Sequence, residues 1–521
     1  MEILIYVLML LVFFGIMLTI GFMYRKKAKS TEGFLLGGRA VGPWLTAFAY
    51  GTSYFSAVVF VGYAGQFGWR FGISATWIGL GNAFIGSLLA WTILGRRTRT
   101  MTRHLKTATM SDFFGKRFDS KALKIAAAII IFIFLIPYTA SLYNGLSRLF
   151  AMAFDIPFWV CIIVMSVLTA IYVIAGGYMA TAVNDFIQGI IMLFGIVAVI
   201  AAVIVSHGGW NEIFLSLSEK QDPTVSAQYG VFTSFFGPDI VSLFFVIILT
   251  SLGTWGLPQM VQKFYAIKDE SAITKGTIIS TLFAVVVAGG CYFLGGFSRL
   301  YPDAMQGGYD AIIPAMLSEL SPWLIGLVII LVLSASMSTL SSLSMTSAST
   351  LTLDLIKPIK KKDMSDKEQV LYMRLLIVVF IVLSAAIAIA QYYLKLDFIA
   401  QMMGVSWGAL AGAFLAPFLY GLYSKKTTKA AVWFSFIYGS GVMVLYLFYS
   451  LWLNKYFTLP AFLASPLNLG SLVMLSGLIL VPIISLFTKK PDERKINEIF
   501  ACYNKTHLVA AKDALVDEEE K

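Results

Sequence analysis

Apolar residues fall into thirteen long runs, at about 3–24, 42–69, 72–95, 124–153, 157–176, 183–206, 236–262, 274–299, 322–352, 372–391, 396–422, 429–451 and 467–487. A helix crosses the hydrocarbon of a bilayer in roughly 20 residues, so each run is long enough to span. No segment alternates apolar and polar residues with period two, which excludes a transmembrane β-barrel. The pattern predicts an all-α polytopic membrane protein with thirteen transmembrane helices. The longest segments between or after the runs are 207–235, 353–371 and the tail from 488, none of them a soluble domain. Residues 102–118 predict a short amphipathic helix, with Thr109 and Asp112 at a spacing like that of a capping box.

The basic residues orient these helices. With the N-terminus outside, the segments on the inner side carry 33 Lys and Arg and those on the outer side carry 6. That asymmetry predicts an external N-terminus and a cytoplasmic C-terminus. The first run has no basic stretch before it, and Arg25, Lys26 and Lys27 follow it without a small-residue cleavage site. It therefore reads as a retained helix rather than a cleaved signal peptide.

Composition sharpens the picture. Of 521 residues, 58% are hydrophobic and only 13% are charged, against about 45–50% and 25% in soluble domains. The net charge of +11 would suggest a nucleic-acid partner in a soluble protein. Here it is spread over short inner loops, so no nucleic-acid partner is expected. Cys161, Cys291 and Cys502 have neither a disulfide nor a metal spacing. The acidic end Asp517–Glu520 reads as a solvated terminus.

Three features inside the runs carry candidate chemistry. Asp185 lies near the inner end of the sixth run; a carboxylate there is either functional or interfacial. The ninth run has Ser or Thr at 11 of the 17 positions from 334 to 350. Ala335, Ser338, Thr339 and Ser342 share one helical face, with Ser341 beside it. Such hydroxyls serve close packing and bonding back to the helix's own carbonyls, or they hold a monovalent cation such as Na⁺; a divalent ion would call for more carboxylates. Third, the second and seventh runs contain breaks, Ala49–Ser56 and Ser251–Pro258. Gly and Pro there can open a helix, freeing carbonyls for an ion and amides for a substrate. The breaks lie five runs apart, so their helices run in opposite directions, as in an inverted repeat. His104, His207 and His507 all fall outside the runs, and no Walker-A loop, HExxH motif or potassium-filter sequence is present.

Together the residues resemble the sodium:solute symporter family over nearly all of residues 1–490. The landmarks are Phe34-Leu-Leu-Gly-Gly-Arg39, Ser111-Asp-Phe-Phe-Gly-Lys-Arg-Phe118, Gly176-Gly-Tyr178 with Asp185-Phe-Ile-Gln188, Ala311-Ile-Ile-Pro314, and Ala335-Ser-Met-Ser-Thr-Leu-Ser-Ser342 followed by Asp354. The resemblance implies a leucine-transporter-type five-plus-five inverted repeat. Its expected organisation is an extra N-terminal helix and basic loop at 1–35, a first five-helix repeat at 36–206 and an extracellular loop at 207–235. A second five-helix repeat at 236–422, two helices at 423–487 and a cytoplasmic tail at 488–521 follow. It also implies a sodium site made by the carbonyls of Thr52, Phe55 and Ala335 and the hydroxyls of Ser338 and Thr339. A second sodium site would map to Asp185, Ser338, Ser341 and Ser342.

The departures bear on the solute. The sodium/proline branch carries an Asp where Tyr54 stands, and a Trp and a Tyr where Thr250 and Thr254 stand, which argues against proline. Ala57-Val-Val-Phe60 is apolar where sugar-transporting relatives are polar. The expected function is Na⁺-coupled import of a small organic solute, an amino acid or small carboxylate, by alternating access. Ser56, Gln66, Trp255, Gln259 and Trp407 are the expected lining. The protein would work as a monomer, with Na⁺, the solute and the lipid bilayer as its partners, in a bacterial cytoplasmic membrane. The alternatives are a symporter for sialic acid or a sugar and, in another class, a solute sensor or a channel; no enzyme activity is expected.

Overall fold

The computed structural model describes residues 2–154, 156–223, 225–360, 364–394 and 399–504. The acidic end Asp517–Glu520, His507 and the first three positions of the expected run at 396–422 lie outside them. Among the described residues the protein is all-helical, with no β-sheet. Among the described residues ten helices are long and apolar enough to cross a membrane, or eleven when one bent pair is counted as a single span.

In chain order, α1 is Glu2–Met23 and α2 is Pro43–Tyr54. α3 covers 58–71 and α4 covers 76–104. The short α5 (Met110–Arg117) precedes α6 (Lys121–Phe154) and α7 (Phe158–Ser206). Then come α8 (Ile240–Leu252), α9 (Pro258–Ala266), α10 (Glu270–Gly295) and α11 (Tyr309–Ser318). The chain continues with α12 (Pro322–Thr350), α13 (Asp366–Tyr393), α14 (Ile399–Tyr423), α15 (Lys429–Phe448), α16 (Pro466–Phe487) and α17 (Glu493–Phe500).

Burial differs from that of a water-soluble protein in that large apolar residues also face outward around an apolar core. Leu4, Leu11 and Val12 of α1, Leu375 and Val382 of α13 and Leu486 and Phe487 of α16 are exposed, while every residue from Ser334 to Thr350 in α12 is buried. Hydrocarbon is a good solvent for the outer apolar side chains, and the interior is where hydroxyls find partners. Close packing comes from small residues. A Cβ on Gly68 of α3 would sit 1.8 Å from the Gly295 carbonyl oxygen of α10, so backbone touches backbone there.

Two long runs are interrupted by single left-handed glycines. Residues 58–104 are helical except around Gly72 (φ 63°), and α7 contains Gly177 (φ 58°). The expected inner loop at 177–182 is thus reduced to one residue, because Gly177 alone takes the conformation that L side chains avoid. The helix expected over 102–118 is also shorter. α4 ends at His104, Lys106 turns back at φ 51°, and α5 starts only after Thr109, whose hydroxyl accepts the Asp112 N–H at 3.1 Å. That is an ordinary N-cap.

Both expected helix breaks are present. The first falls at Phe55–Ser56, where Phe55 is extended and Ser56 restarts the helix by accepting from Val59 and Phe60. The second falls between α8 and α9, which meet at 48°. A residue before proline is pushed out of the α region, and Leu257, at ψ 120°, is the one before Pro258.

Candidate functional site

The break after α2 leaves carbonyls without helical partners, as at any helix C-terminus. α12 supplies the missing donors. The Ser338 hydroxyl donates to the Thr52 carbonyl at 2.7 Å and lies 3.3 Å from that of Ala335. The Thr339 hydroxyl lies 3.1 Å from the Ala335 carbonyl and 3.3 and 3.4 Å from those of Thr52 and Ser53. Five neutral oxygens from two helices thus converge in a fully buried spot. Phe55, one turn on, bonds through its N–H to Gly51, which leaves its carbonyl beyond the last turn of α2.

The hydroxyls of α12 divide by helical face. Those of Ser336, Ser341, Ser344 and Ser349 bond back to carbonyls of their own helix. Ser338, Thr339, Ser342 and Thr346 reach across to α2 or α9. The packing use and the cross-helix use therefore coexist on one helix, in the case of Ser341 and Ser342 at adjacent positions.

Beside this spot lies a second cluster that the charge pattern did not disclose. Ser342 Oγ is 2.8 Å from Ser53 Oγ and accepts from Lys263 Nζ at 2.9 Å. Lys263 Nζ is 3.9 Å from Asp185 Oδ2, and the two side chains are 4% and 1% exposed. The Tyr178 ring lies 5.4 Å from the same ammonium. In the sequence Lys263 stands just past the run 236–262 and counts as a loop charge. It belongs instead to α9, whose nine residues are all buried. The signal was Pro258-Gln-Met-Val-Gln-Lys-Phe-Tyr-Ala266, too apolar and aromatic for a loop.

The other expected lining residues separate into groups. The Ser56 hydroxyl and the Trp407 indole N–H are buried without a hydrogen-bond partner, and Tyr138 lies against both. Tyr138 was missed because, in the sequence, it is one aromatic among many in an apolar run. Gln259 is 1% exposed with both amide atoms unpartnered, one turn before Lys263. Trp255 donates its indole N–H to the Ile85 carbonyl at 3.0 Å. Gln66 stands ten residues beyond Ser56, about 15 Å along α3, and is not brought together with the others.

Tyr54, Thr250 and Thr254, the departures from the proline branch, meet. The Tyr54 hydroxyl donates to the Thr250 carbonyl and lies beside Thr254, tying one break to the other. The Asn82 amide reaches the same hydroxyl and carbonyl at 3.2 and 3.3 Å.

One set of helix ends is bound together by charge. Asp354, 1% exposed, accepts from the Thr109 hydroxyl at 2.5 Å and from the Ser111 hydroxyl, and pairs with Lys124 at 3.0 Å. Arg103 reaches the carbonyls of Arg39 and Ile267, at 2.9 and 3.0 Å. Among the described residues no group of three His, Cys, Asp or Glu could hold a metal ion.

Two interrupted helices meeting a hydroxyl-lined helix inside a polytopic bundle define a membrane carrier. The sodium:solute symporter family model matches residues 34–439, and the chain belongs to that family. It is similar to a sodium/proline symporter of Staphylococcus aureus, 28% identical over 94% of this chain and 95% of that one. A sodium/proline symporter of Salmonella typhimurium is also 28% identical, over 87% and 89%. The fold is similar to that of a Na⁺-coupled sialic acid symporter solved in a substrate-bound outward-open state. The TM-score is 0.73 at 18% identity, over 94% of this chain and 99% of that one. The protein is a multi-pass Na⁺-coupled transporter, not an enzyme, and in a bacterium its place is the cell membrane.

Proposed function

We propose that the chain imports an amino acid or small carboxylate together with Na⁺ by alternating access. The observation that carries this is the meeting of the α2 carbonyl end with Ser338 and Thr339 of α12. Na⁺ held by Thr52, Phe55, Ala335, Ser338 and Thr339 would pin α12 to the first broken helix and favour solute binding beside the breaks. Asp185, Ser338, Ser341 and Ser342 form a second cation position. Ser56, Trp255, Gln259 and Trp407 face the solute, with Gln66 on the path to it.

The topology proposed with this has thirteen crossings, the N-terminus outside and the C-terminus inside. Runs of 47 and 49 residues would be about 70 Å long, more than twice a hydrocarbon core of about 30 Å. Dividing each at its left-handed glycine and counting the bent pair as one span gives that number. Within it, 36–206 and 236–422 are the two inverted repeats, flanked by 1–35, the outer loop 207–235, the helices of 423–487 and the tail 488–521. One chain contains all the groups the cycle uses, so a monomer suffices.

The sodium/proline relatives support an amino acid as cargo. Tyr54, Thr250 and Thr254 point away from proline itself. The test is uptake into proteoliposomes of labelled proline, other amino acids, small carboxylates and sialic acid under an inward Na⁺ gradient. Saturable uptake that stops when K⁺ replaces Na⁺ is expected. Uptake indifferent to Na⁺, or conductance at channel rates, would overturn the proposal.

A further inference from the structure

We infer that the ammonium of Lys263 is a tethered cation that fills the position beside Asp185 and Ser342, so that one Na⁺, not two, binds per chain. The inference rests on the second cation position just proposed and names its occupant.

The geometry is that of an occupied site. The ammonium donates to Ser342 Oγ at 2.9 Å and lies 3.9 Å from Asp185 Oδ2, under the Tyr178 ring. Asp185 Oδ2 is buried and accepts no hydrogen bond, so Lys263 is the charge that compensates it. The cavity bordered by Gln259, Lys263, Ser342 and Thr346 measures about 10 Å³, room for at most one water. A Na⁺ ion placed among the same oxygens would meet a like charge at contact distance in a buried setting, where screening is weakest.

The tether also does something a free ion does not. Lys263 belongs to α9, the inner half of the second broken helix, whereas Asp185 is on α7 and Ser342 on α12. The ammonium therefore latches that half-helix to two neighbours. The latch touches the proposed sodium site through Ser53, whose hydroxyl meets Ser342 and whose carbonyl lies 3.4 Å from the Thr339 hydroxyl.

The experiment is equilibrium binding of ²²Na⁺ to the purified full-length protein, read as sites per chain, with thermal stability measured in parallel. Wild type should bind one Na⁺. Lys263→Gln should bind two and become dependent on Na⁺ for its stability. Lys263→Arg should stay at one, and Asp185→Asn/Lys263→Gln should return to one with no added need for Na⁺. If Lys263→Gln folds only in Na⁺, that dependence is itself the expected result. Two sites in wild type, or one site in a folded Lys263→Gln protein, would overturn the inference. A Na⁺ half-saturation raised about tenfold or more in Thr339→Val reads the other sodium position separately: an unchanged half-saturation there would refute that assignment while leaving the Lys263 comparison intact.

Discussion

Replacing Thr339 by Val removes one oxygen and keeps the β-branched shape. That oxygen lies within 3.4 Å of the carbonyls of Ala335, Thr52 and Ser53 and is fully buried. In a Na⁺ site it would contribute one neutral ligand. An interaction between a neutral dipole and a charged group contributes about 1.5–3 kcal/mol. At about 1.4 kcal/mol per decade, the Na⁺ half-saturation should rise about 10- to 150-fold. The assay is a Na⁺ titration of melting temperature in detergent, with K⁺ holding ionic strength constant, since bound ligand stabilises the fold by mass action. It requires no knowledge of the solute.

Two further variants separate ion binding from packing. Thr339→Ser should restore most of the Na⁺ affinity. Ser344→Ala removes a hydroxyl that bonds back to the Leu340 carbonyl, and should leave the half-saturation unchanged whatever it does to the melting temperature. A folded Thr339→Val protein whose Na⁺ half-saturation lies within a factor of about two of wild type would refute the reasoning.

Gly68→Ala would place a Cβ 1.8 Å from the Gly295 carbonyl oxygen; it should abolish the monodisperse peak in size-exclusion chromatography, while Gly15→Ala, with open space around it, should not. Asp354→Ala removes the acceptor of the Thr109 and Ser111 hydroxyls and one of the two carboxylates that pair with Lys124, which keeps Asp112 at 2.7 Å; it should cost about 1–3 kcal/mol, read as a drop in melting temperature. Tyr54→Phe deprives the Thr250 carbonyl of one donor, leaving the Asn82 amide, a loss of about 1 kcal/mol. It should alter the apparent KM for the solute identified by uptake and leave the Na⁺ half-saturation unchanged.

Much of this architecture is legible because a membrane imposes simple rules. Apolar run length marks the helices, and Pro258 marks the second break through its effect on Leu257. The hydroxyl stripe of α12 was visible as a face, but its division into self-bonded and cross-bonded members was not. Ser341 and Ser342 are adjacent and alike in sequence, yet one bonds to its own helix and the other to α2 and α9. Only the azimuth of the helix decides between them. Lys263 was hidden for a different reason. Charge counting assigns every lysine at a helix end to water, and nothing local shows that a carboxylate 78 positions earlier compensates it. Tyr138, similarly, is distinguished by what faces it and not by its neighbours in the chain.

The same division of charge sets what the transporter can do. A carrier site must bind its ion and then release it in every cycle, which favours neutral oxygens such as those around Ser338 and Thr339. Asp185 would hold Na⁺ more tightly, but Lys263 compensates its charge from within the protein and travels down no gradient. One Na⁺ then carries the driving force. Near 100 mV, inside negative, its charge contributes about 2.3 kcal/mol, and a tenfold Na⁺ gradient adds about 1.4 kcal/mol. Together these sustain roughly 500-fold accumulation of a neutral solute. A second mobile Na⁺ would square that ceiling. The ammonium on α9 thus forgoes driving force, and what it supplies is a mechanical link: Ser342 cannot separate from α9 without breaking a buried charge-assisted contact, and Ser53 is tied to that link through its hydroxyl contact with Ser342. Movement of α9 and emptying of the proposed sodium site would then become one event, the coupling that a symporter needs to avoid leaking its ion.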